Sequence, residues 1–98
     1  MDVEFDDDEL DRLETDAEFL GRFAAPIARQ FRRVMQIIRA AVDERDLYEF
    51  KSRRFEKVKG KRQHQHSLRL NDQWRLIVEI RGEHPRKRIA IVAIEDYH

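Results

Sequence analysis

An α+β fold, two N-terminal helices packed on an antiparallel β-sheet, is predicted by three observations on the 98-residue chain. Apolar residues recur at helical spacing up to Val42, the period changes to strand-like alternation beyond Asp43, and turn-forming residues separate the alternating stretches. Such a pattern places helices first and strands after, the sequence order of a segregated α+β layer structure.

Val3 and Phe5 alternate with acids in a stretch only long enough for an edge strand. Asp6 to Glu9 supply a cap and first-turn acids, and Leu10, Leu13, Ala17 and Leu20 follow at helical spacing, which predicts a short amphipathic helix. After the joint from Gly21 to Ala25, Pro26 suits the first turn of a second helix. Its stripe is Ile27, Phe31, Val34, Ile38, Ala41 and Val42, while Arg29, Arg32, Arg33 and Arg39 form a solvated face. Four strands are expected beyond: around Phe55 and Val58, around Leu68 and Leu70, from Trp74 to Ile80, and from Ile89 to Ile94. Asn71 to Gln73 and Gly82 to Pro85 read as hairpin turns. No repeat or low-complexity segment interrupts the chain, so one domain, residues 1–98, is expected.

Composition limits what such a chain does. A domain this small commits nearly all its apolar residues to packing and has little left for a deep substrate cavity. The absence of cysteine excludes disulfides and a thiolate zinc site. With no leader and no long apolar run, a cytoplasmic protein away from membranes is expected. The formal net charge of zero is a cancellation. Met1 to Leu20 holds ten acidic residues and one basic, whereas Lys51 to Arg75 holds nine basic residues and two acidic. A polyanion would meet only the basic half, and the acidic start is expected to lie away from it.

Three segments carry a resemblance: Phe55 to Arg62, Ser67 to Leu76, and the terminal Ile94 to His98. Together they resemble the HigB toxins of the RelE/ParE superfamily, closely over the last half of the chain and in layout over the helical half. The terminal Glu95-Asp96-Tyr97-His98 is the most specific piece. The resemblance implies a compact RelE/ParE-like fold, a ribosome-dependent endonuclease acting on mRNA without a metal or other cofactor, and a helix-turn-helix antitoxin as partner.

RNA is cut without metal when a base takes the 2′-hydroxyl proton, the alkoxide attacks the adjacent phosphate, cations hold the developing charge, and an acid protonates the departing 5′-oxygen. Lys59, a lysine before glycine as in the family, and Arg75, aimed by a strand after Trp74, are the candidate cations. His98 is the first candidate for proton transfer, because imidazole titrates near neutral pH; Tyr97 offers a ring for an unstacked base, and Asp96 can orient either neighbour. The final residues are expected to be positioned by the sheet but free of its ladder. Where HigB toxins commonly carry a histidine three residues before the lysine, this chain has Glu56. Either Glu56 takes over as base, or a nearby histidine, His64 or His66, does, or the activity is weak. Two apart in a strand, the histidines would share a face. That spacing also suits a metal, but no third ligand is evident, so none is expected. Arg53, Arg54, Lys57, Lys61, Arg62, His64, His66 and Arg69 are the expected RNA and ribosome contacts. Two other functional classes fit the composition: a ParE-like toxin that acts on a protein target such as gyrase, and an RNA-binding module without catalysis.

Overall fold

Among the described residues the sheet has five strands, one more than the strong alternation alone supplies, and it is mixed rather than antiparallel. In the computed structural model, which describes residues 1–62 and 64–97, the chain runs β1 (Asp2–Phe5), α1 (Asp8–Thr15), α2 (Ala25–Ala40), β2 (Glu56–Lys57), β3 (Gln65–Arg69), β4 (Trp74–Arg81) and β5 (Arg88–Asp96). Short 3₁₀ turns occupy Glu44–Glu49, Lys51–Arg53 and Gly60–Arg62. Strand order is β1-β5-β4-β3-β2, with β1 parallel to β5 and the other pairs antiparallel. The parallel pair has a physical reason. Without β1, the nine-residue apolar β5 would be a bare edge strand, a template for unwanted pairing. The two helices form the crossover that brings the chain from the end of β1 to the far side of the sheet, and the Met1 ammonium donates to the Ala41 carbonyl at 2.6 Å, tying the start of β1 to the end of α2.

Asp7 caps α1, its carboxylate accepting from the Glu9 amide at 2.8 Å. The helix is shorter than the apolar spacing predicts. It ends at Thr15, because the Asp16 carboxylate takes the Glu18 amide and offers the backbone a turn in place of another helical bond. Ala17 and Leu20 are exposed as a result. Arg32 then completes the stop: half-buried, it donates to the carbonyls of Leu13, Asp16 and Phe19 at 2.9, 3.2 and 2.7 Å. The expected solvated arginine face of α2 therefore describes Arg29 and Arg33, whereas Arg39 pairs with Glu14 and Arg32 is a structural strap. Arg32→Met keeps the aliphatic stem and removes all three donations. It is expected to cost about 2–3 kcal/mol, the scale for losing hydrogen bonds from a charged donor, and to lower the melting temperature by about 10 °C. Unchanged thermal unfolding would assign the α1 stop to Asp16 alone.

The core lies between the helices and one face of the sheet. Leu10 and Leu13 of α1 and Phe31, Val34, Met35 and Ile38 of α2 pack on Leu68, Leu76, Val78, Ile89, Ile91 and Ile94. Val42 ends outside this stripe, 83% exposed beyond the helix end. Phe55 and Val58 are buried but only flank β2, which is two residues long. Among the described residues, no helix is long and apolar enough to cross a membrane.

One irregularity decides what the open face of the sheet carries. Ile77 pairs with Ala93 but Val78 with Ile91, so Val92 is an extra residue in β5. Before this bulge Ile89 and Ile91 point to the helices; after it Ile94 does. The one-residue shift in phase sends Glu95 to the open face, opposite Arg75.

Candidate functional site

The open face of the sheet carries a cleft of about 500 Å³ near the β2 edge, lined by Glu56, Lys57, Val58, Lys59, Arg62, Ser67 and Tyr97. Three parts of the chain build it. Strand β2 supplies Glu56, directly opposite Ser67 on β3. The following turn supplies Lys59 and Arg62, and the end of β5 supplies Tyr97. Gly60 adopts φ +81°, the left-handed conformation that lets the chain turn directly after Lys59. Tyr97 is less detached than the sequence suggests. Its amide donates to the Gln73 carbonyl at 2.7 Å, so the ladder reaches one residue past β5 and fixes the backbone that carries the phenol.

Arg75 stands beside the cleft, not in it. Its guanidinium lies 5.4 Å from the Tyr97 ring centre, a cation–π contact, and its Nη1 donates to the Asn71 carbonyl at 2.6 Å and the Trp74 carbonyl at 3.3 Å. On its other side Arg75 helps to line a second cleft, of about 580 Å³, with Lys51, Ser52, Arg54, Arg69 and Asp72. Arg69 is ion-paired with Asp72, which is held below the usual carboxylate range by that arginine. Arg54 is in the left-handed region at φ 49°, a conformation that costs a non-glycine residue energy and recurs at functional positions.

Arg53 turns inward, donating to the Arg69 carbonyl at 3.3 Å and to Gln30 Oε1 at 3.0 Å. Burial lowers its pKa, and the charges of Arg33 and Arg69 add to the effect.

The two histidines do not share a face. His66 stacks on Phe55 with ring centres 4.6 Å apart and planes 11° from parallel, and burial, then the Lys57 charge, push its pKa down. His64 precedes β3, is exposed, and lies 3.6 Å from Glu79. A strand beginning at Gln65 leaves His64 outside the alternation on which the shared face depended. Lys61 is exposed on the 3₁₀ turn. Asp96 accepts from Gln73 Nε2 at 2.9 Å and sits opposite Trp74, across the sheet from Tyr97. His98 lies outside the described residues. Among the described residues, no three His, Cys, Asp or Glu side chains gather as a metal-binding group.

Sequence reasoning missed three residues of this face. Ser67, 1% exposed, floors the cleft. Buried Gln65 and half-buried Glu95 both bind Arg62. Alternation around Leu68 was a usable signal for Ser67, since it assigns that serine to the face away from the helices; Glu95 was hidden by the bulge.

The fold is similar to that of a YoeB/ParE toxin from Agrobacterium tumefaciens, with a TM-score of 0.57 at 14% identity over 100% of both chains. A comparison with curated proteins gives no match. Residues 3–93 match the family model of HigB-like toxins, described as the RelE-like toxin of type II toxin–antitoxin system HigB. That span includes Glu56, Lys59 and Arg75, while Glu95 and Tyr97 lie past it. On this match across most of its length, the chain belongs to the HigB-like family, the RelE-like toxins of type II toxin–antitoxin systems.

Proposed function

We propose that this toxin is a ribosome-dependent endoribonuclease that cuts mRNA by attack of a 2′-hydroxyl on the adjacent phosphate. The observation that carries the proposal is the cleft itself, in which a carboxylate (Glu56), an amine (Lys59) and a phenol (Tyr97) line one cavity on the open face of the sheet. Glu56 accepts the 2′-hydroxyl proton, the new P–O bond forms as the P–O5′ bond breaks, and Lys59 holds the charge that gathers on the phosphoryl oxygens. Tyr97 offers its ring to a base splayed from the strand, with Arg75 stacked beyond it. The departing 5′-oxygen takes its proton from His98, a role assigned from the sequence alone, and Asp96, which accepts from Gln73, helps to set the end of β5 beside Tyr97. Base, acid and fixed charge are all side chains, so the scheme runs without a metal. Arg54, Arg69 and Lys51 in the second cleft, with Lys57 and Lys61 on the β2 side, give the phosphate backbone a basic track to either side.

As a type II toxin the protein is countered by a protein antitoxin; we assign that role to a helix-turn-helix, HigA-type partner. The test is to translate a defined message on purified ribosomes and to map new 5′ ends after adding the toxin. Cuts that appear only on ribosomes and vanish on adding the antitoxin are expected. Intact message together with blocked DNA supercoiling would replace the proposal with a ParE-like one, and RNA binding without cuts would leave a non-catalytic module.

A further inference from the structure

Arg62 reads in sequence as one more cation for RNA, yet each of its three guanidinium nitrogens donates to the protein. Nη1 and Nη2 donate to the two oxygens of Glu95 at 2.9 and 2.8 Å, a bidentate pair, and Nε donates to Gln65 Oε1 at 2.8 Å. The pairing with Glu95 also raises the arginine's pKa, so it is charged at every relevant pH. Gln65 is buried and does not end the chain of contacts: its Nε2 donates to Glu79 at 2.8 Å, and Glu79 is paired with Arg81 at 3.0 Å. Arg81 in turn holds Asp6 and Glu4 at the β1 edge. A continuous line of fixed polar contacts thus crosses the open face and ends on Arg62, at the close of the turn that directly follows Lys59.

We infer that Arg62 is a positioning residue, a buckle that Glu95 and Gln65 hold shut so that the Lys59 turn stays seated over the sheet beside Tyr97. This rests on the proposed nuclease reading for its effect on catalysis, though the buckle itself is a property of the fold. A short turn that begins with a left-handed glycine has little of its own to fix the Lys59 ammonium. One bidentate pair to a strand and one bond to a buried amide supply what the turn lacks, and small misplacements of a catalytic group are known to cost rate steeply. The role also accounts for Glu95, a carboxylate kept on the face that must meet a polyanion. Paired with Arg62, it presents little net negative charge to RNA.

The experiment uses the full-length toxin with Arg62→Ala, Glu95→Gln, the double variant and the exchange Arg62→Glu/Glu95→Arg, with Arg62→Lys as a milder substitution. Two readouts are taken: ribosome-dependent cleavage at varied message concentration, and the rate at which trypsin cuts after Lys59. Each single variant is expected to lower kcat by about tenfold or more with KM little changed, and to speed the tryptic cut. The double variant is expected to be no worse than the poorer single one, and the exchange is expected to recover part of the loss. The inference is overturned if Arg62→Ala raises KM and flattens the salt dependence of binding while Glu95→Gln leaves cleavage intact, which would make Arg62 a phosphate ligand. It is equally overturned if no variant changes the tryptic rate after Lys59. A parental protein that cuts no message would sink the nuclease reading alone, since the tryptic comparison still decides the buckle.

Discussion

Glu56→Gln is expected to lower ribosome-dependent cleavage by about a hundredfold to ten-thousandfold, the range for losing a general base. The amide keeps the size and shape of the side chain but cannot take a proton from the 2′-hydroxyl. Three residues compete for this role in the sequence, and their surroundings separate them. His66 is stacked on Phe55, with its pKa lowered by burial, on the side of the sheet that faces the helices. His64 sits near Glu79, whose cross-strand partner is Gln65, and is absent from the cleft lining. Glu56 alone of the three lines the cleft that contains Lys59 and Tyr97. Glu56 is exposed at a strand edge, so melting should be nearly unchanged, within about half a kcal/mol. Glu56→Asp should retain part of the activity, while His64→Ala should cleave at the parental rate. The assignment fails if Glu56→Gln cuts normally, and it passes to His64 if only the histidine variant is impaired.

Where the periodicity was strong, the elements follow from it: α2 and β4 rest on apolar residues whose spacing allows one reading, and the apolar run of β5 shows the strand though not its change of phase. The parts that did not follow depend on contacts distant in sequence. The stop of α1 rests on a guanidinium from α2, nineteen positions beyond the carbonyl of Leu13. The pairing of β1 with β5 is parallel because the helices carry the chain across, and nothing within Asp2 to Phe5 encodes that direction. The 3₁₀ turns from Glu44 to Arg53 have no apolar period at all; buried Leu47 anchors the first of them.

The site was legible in its residue types and less so in its geometry. Lys59 before Gly60 and Tyr97 near the end of the last strand are local signals, and the fold brings both, with Glu56, to one cleft. The basic stretch, by contrast, reads as one undivided patch in sequence. In three dimensions some of its cations, such as Lys59 and Arg54, offer their charge to a cleft, while others are held by the fold: Arg53 on Gln30, and Arg62, which also borders the first cleft, on Glu95. Charge counts cannot make that distinction, because the partners of a bound guanidinium are scattered: Arg62 and Glu95 are 33 positions apart. The bulge at Val92 is the other hidden device, since one extra residue reverses which of β5's last side chains reach the open face.

Lys59→Ala is expected to reduce cleavage by about a hundredfold or more, the scale for removing a donor aimed at transition-state charge. The lysine is exposed just before a turn and borders the cleft, so little folding energy is tied to it. Arg75→Ala should show the same order of loss but by a mixed route. Its guanidinium braces the Asn71 to Trp74 turn through two carbonyls and stacks on Tyr97, so its removal also loosens the hairpin and the ring. Measured side by side, Lys59→Ala should change kcat without moving the melting temperature, and Arg75→Ala should lower both. Lys59→Arg then separates charge from placement: a wider, planar cation restores the sign but not the position of the ammonium, and partial activity is expected. Full parental activity in Lys59→Ala, with normal folding, would move the charge-stabilising role away from this turn and toward Arg75 and the second cleft.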